Sequence, residues 1–497
     1  MLAFRVGYDP LAFNRFRGYD DGVMASRTEY DSMGGVEIPA ESLYGASTQR
    51  AVENFRVSDY TLPAGLLTSL GLLKRIAAEV NVELDELNED LGRLIVEAAN
   101  EVADGRLHAH FPVDVFQTGS GTSTNMNVNE VIANRCSQLA GKALGSKDPV
   151  HPNDHVNLGQ SSNDVMPSAL HVSVALAIRD TLVPALNVLE VALLRKVAQW
   201  QEVIKLGRTH LMDATPITLG QEFSGYARQI SKARSRCKRA IEILSELAIG
   251  GTAVGTGINT HPKFAQLVCR RLSEETGLEF REAENHFEAQ SCRDDSVEVA
   301  GHLSTLAVAL TKIANDIRLL GSGPRAGLGE LSLPATQPGS SIMPGKVNPV
   351  MSEMLVQSAH YSISLCQTVT RCGQDGQLDL NATIPLIAHC LLTSIKILAN
   401  GAQTFADRCV SGLEANQERC QSYAENALGL ATALNPHIGY DKAAAIAKSA
   451  FKEGKSIKEI ALRMKVLDEA TLARILDPRQ MLGTNGHSNT TTESNGQ

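Results

Sequence analysis

Residues 299–320 read VAGHLSTLAVALTKIANDIRLL, and their spacing decides the fold. Val299, Leu303, Leu306, Leu310, Ile313, Ile317 and Leu320 follow one another at steps of 4, 3, 4, 3, 4 and 3. That alternation keeps one apolar seam on one side of a helix about 30 Å long, the geometry by which long helices pack into bundles. A second seam runs through Leu170, Val174, Ile178, Leu182, Leu186, Leu189, Leu193 and Val197, with Asn163 or Asp164 as its cap and a kink expected at Pro184. A third passes through Phe223, Tyr226, Ile230, Ala233, Cys237, Ile241, Leu244 and Leu247 and is expected to stop at Gly250-Gly251. The pattern predicts an all-α protein built on long helices, with room left on them for contacts between copies.

A chain of 497 residues is long enough for two or three domains and at least one large core. Its 46 Lys and Arg against 55 Asp and Glu give a net charge of −9 without any long basic run. That disfavours nucleic acid as a partner and still allows a local basic pocket for an acidic metabolite. Nine cysteines between Cys136 and Cys420 form no CxxC pair, which reads as reduced thiols in a cytoplasmic protein. No unbroken run of eighteen apolar residues occurs, so no membrane span is expected. Residues 1–30 read as a disordered extension: Asp9, Asp20 and Asp21 argue against a transit peptide, and Met24 is an alternative start. The polar tail 483–497 is expected to be disordered as well.

Chemistry gathers where glycines and small polar residues interrupt the helices: TGSGTSTNMN from Thr118, HPNDHVNLGQSSND from His151, GRTH from Gly207 and GSSIMPGKVN from Gly339. The last is not a P-loop. Five residues separate Gly339 from Gly345, and Val347 stands where a magnesium-ligating hydroxyl would follow Lys346. Adjacent hydroxyls, main-chain N–H groups, one cation and one amide suit a small carboxylate instead. No HExxH or clustered Cys and His residues appear, so neither metal nor cofactor is expected. Read from the residues alone, bland alternatives stay open: Ser340 as a turn residue, His210 as the end of its segment, Lys346 as a solvated charge, Glu353 as an exposed helix face.

These four stretches, in this order and with DSMGGVEIP from Asp31 and TALNPHIGYDKAA from Thr432, closely resemble the fumarase and aspartase superfamily, whose signature is similar to GSSIMPGKVNP. The resemblance covers nearly the whole chain. It implies a three-domain all-α fold: an N-terminal helical domain over 31–160, a long central bundle over 161–417 that tetramerises, and a small C-terminal helical domain over 418–482. Each active site would draw on three subunits of the homotetramer, with a small dicarboxylate as substrate. QTGSGT, QSSND and GGTAVGTG resemble the hydratases, whereas NPVMSEML, GQLDLN and Tyr44 lean toward the ammonia-lyases. The hydratase-like differences fall in the carboxylate-binding stretches. The implied activity is therefore fumarate hydratase, with aspartate ammonia-lyase as the alternative and a non-catalytic structural relative as a distant one.

The resemblance also implies roles. Ser340 would be the general base, leaving an aci-carboxylate intermediate, and His210 would serve the departing hydroxyl or incoming water. Glu353 would pair with that histidine. Ser120, Thr122, Ser161, Ser162, Asn163, Thr209, Ser341, Lys346 and Asn348 would hold the substrate carboxylates. His151, Asn153 and Asp154 would form a second anion site, followed by His155 where a carboxylate is common.

Overall fold

All seven seam residues of 299–320 lie at 5% exposure or less, in a single helix, Asp294–Leu320. Asp294 and Asp295 occupy its first turn and Arg318 its last, each charge placed to favour the helix dipole. The computed structural model describes residues 25–483; the expectations for residues 1–24 and 484–497 lie outside the described residues. Within that range the chain forms two compact units, one of residues 25–173, 245–293 and 375–389, the other of residues 174–244, 294–374 and 390–483.

The first unit is a helical layer fronted by a hairpin. Helix Ala64–Glu83 packs against Glu89–Ala103 and Phe264–Thr276, and Glu89–Ala103 packs in turn on Thr122–Leu139. The Asn88 side chain starts the second of these by accepting the N–H groups of Asp90 and Leu91. Strands Ser26–Asp31 and Gly34–Pro39 pair antiparallel from Ser26↔Pro39 to Asp31↔Gly34. Residues 26–30, assigned by sequence to a disordered extension, are therefore a strand, tied down by the ladder and by Arg27, whose guanidinium donates to Glu29 and to the Tyr44 carbonyl.

The second unit contains the bundle. Asp294–Leu320 packs along Val350–Gly373 and against Leu219–Ile243, and the latter packs on Val183–Gln199. Leu219–Ile243 opens with a capping box in which Thr218 and Gln221 satisfy each other's main-chain N–H. This helix stops at Ile243, before the expected Gly250-Gly251. Leu247 leaves the seam for a two-residue strand, Glu246–Leu247, beside Arg281–Glu282 in the first unit. The 170–197 seam is also interrupted: Ser162–Ala177 gives way to a π-helical turn, Ile178–Leu182, and helix resumes at Val183. Pro184 thus falls in a first turn, where a missing N–H costs little. A C-terminal cluster of Leu434, Ile446, Ile460 and Leu472, all fully buried, organises helices Tyr440–Glu453, Ile457–Arg463 and Glu469–Ile475.

Three helical stretches, Ser162–Gln199, Asp294–Leu320 and Ile384–Gly412, are long and apolar enough to cross a membrane by length and composition. The sequence expectation rested on an unbroken run of eighteen apolar residues, which none of the three contains. Ser, Thr, Gly and His residues break the unbroken apolar count without adding enough charge to make the helices polar. In the bundle the apolar side of Asp294–Leu320 is turned onto its neighbouring helices.

Candidate active site

In the second unit the Gly339–Asn348 loop folds back on itself and precedes helix Val350–Gly373. The Ser340 hydroxyl oxygen accepts main-chain N–H groups from Ile342 at 3.3 Å and Met343 at 3.0 Å. Two donors on one hydroxyl oxygen favour negative charge there. The Asn348 side-chain N–H donates to the Gly339 carbonyl, so this amide closes the loop. A Cβ at Gly339 would collide with the Lys346 carbonyl, so only glycine permits the closure. Ser341 and Lys346 are exposed along the loop, and Glu353 sits in the first turn of the following helix.

Thr209 and His210 reach solvent on a hairpin that helical periodicity did not reveal. Strands Ile204–Thr209 and Met212–Thr218 pair from Ile204↔Thr218 to Thr209↔Met212, with a bulge between Leu206 and Arg208. Its two-residue turn is His210-Leu211, with φ of 56° and 62°. Both residues occupy the left-handed region that two-residue hairpin turns demand and side chains resist. The base of the hairpin is fixed by buried charge: Lys205 Nζ lies 2.8 Å from Glu222 and 3.1 Å from Glu330, and Arg208 lies 2.9 Å from Glu330. Among the described residues no ion pair joins His210 to Glu353 within one chain.

The first unit holds the remaining candidates. Ser120 and Thr122 bridge hydroxyl to hydroxyl at 2.9 Å across Gly121, whose φ of 79° starts helix Thr122–Leu139. Thr122 is exposed, whereas Ser120 is largely covered. At the next helix start the cap is Ser161, not Asn163 or Asp164: its hydroxyl accepts from Asn163 N–H while Asp164 accepts from Ser161 N–H. The other oxygen of Asp164 accepts from the N–H groups of Gly250 and Thr252, at 3.0 and 2.9 Å. Asn163 donates to the Ala253 carbonyl at 2.8 Å, so the QSSND start and the GGTAVGTG turn are knitted together. Burial pushes the Asp164 carboxyl up to about 6 against these donors.

Asn153 and Asp154 lie on a π-helical turn, Pro152–Val156, which His151 caps. His151 and Asn153 line a cavity of about 420 Å³ with Glu29, Tyr30, Asp31 and Lys147. His151 Nδ1 accepts the Asp154 N–H at 3.2 Å, and His155 Nδ1 accepts the His151 N–H at 2.9 Å. Burial pushes the His155 pKa down. Among the described residues no cluster of three His, Cys, Asp or Glu side chains could hold a metal ion.

Sequence reasoning passed over a buried polar cluster behind Ser162. Lys74, Asn125, Asn129 and Asn157 connect there, and all but Asn157 are 2% exposed or less. The available signal was a single lysine inside the largely apolar run LLTSLGLLKRIAA, and Asn125 and Asn129 one helical turn apart in a buried helix.

A long-helix bundle carrying small-polar loops, one with a hydroxyl cradled by main-chain N–H groups, is the setting in which the class of this protein, a lyase, is identified by its family. The match is direct: residues 34–361 fit the lyase family, and residues 430–483 fit the family described as the fumarase C C-terminus. The chain is 50% identical over 463 residues to a class II fumarate hydratase of Thermosynechococcus vestitus, covering 93% of this chain and 99% of that one. It is 48% identical over 461 residues to a mitochondrial fumarate hydratase of Danio rerio, covering 92% and 90%. A solved class II fumarase from Schistosoma mansoni superposes with a TM-score of 0.90 at 40% identity, covering 92% of this chain and 99% of that one. The chain belongs to the class II fumarate hydratase family.

Proposed function

We propose that this protein adds water reversibly and in anti fashion to fumarate, giving L-malate, in a cytoplasmic homotetramer whose sites are shared between subunits. The observation that carries the reading is the Ser340 hydroxyl oxygen, held by two main-chain N–H donors in a loop that also bears Lys346. The proton lost from malate lies beside a carboxylate, and removing it adds negative charge to that carboxylate. Ser340, as its alkoxide, takes the proton from carbon; the electron pair moves into the carboxylate to give the aci-carboxylate. Collapse of this intermediate forms the double bond and expels hydroxide, which leaves as water with a proton from His210. Donors aimed at developing charge contribute about 3 kcal/mol each, and Lys346 is assigned to the carboxylate while the Ile342 and Met343 N–H groups hold the Ser340 oxygen.

Ser120, Thr122, Ser161, Ser162, Asn163, Thr209, Ser341 and Asn348 are assigned to the two carboxylates. Glu353 is assigned to His210 across a subunit boundary, since within one chain no ion pair joins them among the described residues. His151, Asn153 and Asp154 are assigned to the second anion site. Exposed Val308, Leu194 and Tyr361 on the bundle helices supply apolar surface for assembly. The test follows fumarate absorbance on adding L-malate to wild type and to Ser340→Ala. Wild type should form fumarate, and Ser340→Ala should lose roughly 10²- to 10⁴-fold in kcat while keeping its fold. A Ser340→Ala protein with wild-type turnover removes Ser340 from the mechanism.

A further inference from the structure

Lys74 is an expensive residue for its place. It sits within the helix Ala64–Glu83 at 0% exposure, and among the described residues no carboxylate stands within ion-pair distance of it. Buried ammonium groups persist only when their protons are satisfied. Here Nζ donates to Asn157 Oδ1 and to Gln160 Oε1, both at 3.0 Å. Gln160 is already committed, since its Nε2 donates to the carbonyls of Val156 and Leu158.

The consequence is a fixed direction for a chain of hydrogen bonds. Burial pushes the Lys74 pKa down to about 7 against the charge of Asp164; as amine or ammonium Nζ has protons to give, and the one it gives to Asn157 Oδ1 turns that oxygen toward Lys74. Asn157 Nδ2 then donates to the Gln160 carbonyl at 3.1 Å. With that oxygen fixed, Asn125 must turn its Nδ2 toward Asn157, at 3.1 Å, as Asn129 does at 3.2 Å. The same Asn125 Nδ2 donates to Ser162 Oγ at 3.2 Å. Ser162 Oγ therefore accepts on its protein side, and its own proton is free to point outward. The arrangement leaves Asn125 Oδ1 and Asn129 Oδ1 buried without partners, a cost the fixed direction of the chain imposes.

We infer that Lys74, acting through Asn157 and Asn125, is a positioning residue that aims the Ser162 hydroxyl proton into the active site as a donor to a substrate carboxylate. The inference rests on the reading of Ser162 as a carboxylate ligand. Without Lys74 the Asn157 and Asn125 amides are free to reverse, Asn125 presents oxygen to Ser162, and the hydroxyl donates inward.

The test is a double-mutant cycle in the full-length protein, with L-malate as probe and KM and kcat both measured. Ser162→Ala and Lys74→Met should each weaken kcat/KM by about tenfold, a hydrogen bond to a charged group having been lost. Lys74→Met in the Ser162→Ala background should add less than about twofold, because the hydroxyl it aims is gone. Lys74→Arg, which keeps a donor-only cation, should recover part of the loss. If the two single effects multiply in the double variant, Lys74 acts on structure generally and the inference fails while Ser162 stays a ligand. If Ser162→Ala leaves kcat/KM unchanged, the reading of Ser162 fails first. Should Lys74→Met not fold, Asn125→Ala takes its place in the cycle with the same expectation and the same contrary result.

Discussion

At Gly339 one hydrogen atom in place of a methyl decides whether the Ser340 loop can close. The Lys346 carbonyl lies where a Cβ would be, and the Asn348 amide latches the loop to the Gly339 carbonyl beside it. Gly339→Ala should cut malate turnover by at least about tenfold with a melting temperature close to wild type, because the loop is exposed and carries little of the core. Unchanged turnover would show that loop closure is not needed. In the sequence only the small-polar loops at breaks in helical periodicity were legible; the roles expected of Ser340, His210 and Lys346 came from the family resemblance, each having a bland alternative when read alone. The hydrogen bonds that give Ser340 its environment were not legible, because they come from main-chain N–H groups that no residue type announces. Lys74 was equally hidden: its helix reads as apolar packing, and the residues it organises lie about 50 to 90 positions away.

At the level of elements, the 299–320 seam was legible whole because a 3.6-residue period survives any tertiary context that buries one face, whereas the π-helical turn Ile178–Leu182 and the early stop at Ile243 in the other two seams were not. The Thr209-His210 hairpin was not. Gly207 makes a bulge, Pro216 sits inside a strand, and the turn residues His210-Leu211 are not the Asn-Gly type that signals such a turn. That turn holds two non-glycine residues in the left-handed region, which costs on the order of 1 kcal/mol each. His210→Asn, which tolerates the conformation, should leave the melting temperature within about 2 °C of wild type and still lower kcat by roughly 10²-fold or more. Loss of the fold in this variant would assign the ring a structural role instead.

Helix Ser162–Ala177 carries a second testable group. His171 is buried with Nδ1 2.9 Å from the Glu246 carbonyl, and burial, assisted by Arg293, pushes its pKa down to about 4. Between roughly pH 6.5 and pH 4 the unfolded chain binds a proton at this ring that the folded chain does not. Its contribution to stability is therefore complete above the unfolded value and is lost as pH falls through that window, by about 3 kcal/mol at most. Asp164 shifts the opposite way, but it is common to wild type and a His171→Gln variant and drops out of their comparison. Thermal melts should show the variant losing less stability than wild type between about pH 7.5 and pH 5. Equal losses would mean that His171 is not held neutral by the fold.

For the whole molecule, the proposal that sites are shared between subunits has its own test. Ser340→Ala and His210→Asn subunits, each inactive alone, should recover partial malate turnover after mixing and exchange if one site takes these residues from different chains. No recovery after verified exchange would place both residues in the same subunit's site. The most direct measurement of the central claim offers purified protein L-malate and L-aspartate side by side, with fumarate followed by absorbance and ammonia assayed separately. A polar site built for one leaving group rejects its analogue by up to about 10⁴-fold, because buried groups are left unpaired. The account predicts rapid interconversion of L-malate and fumarate with little or no ammonia from L-aspartate. Efficient deamination of L-aspartate with L-malate untouched would contradict it.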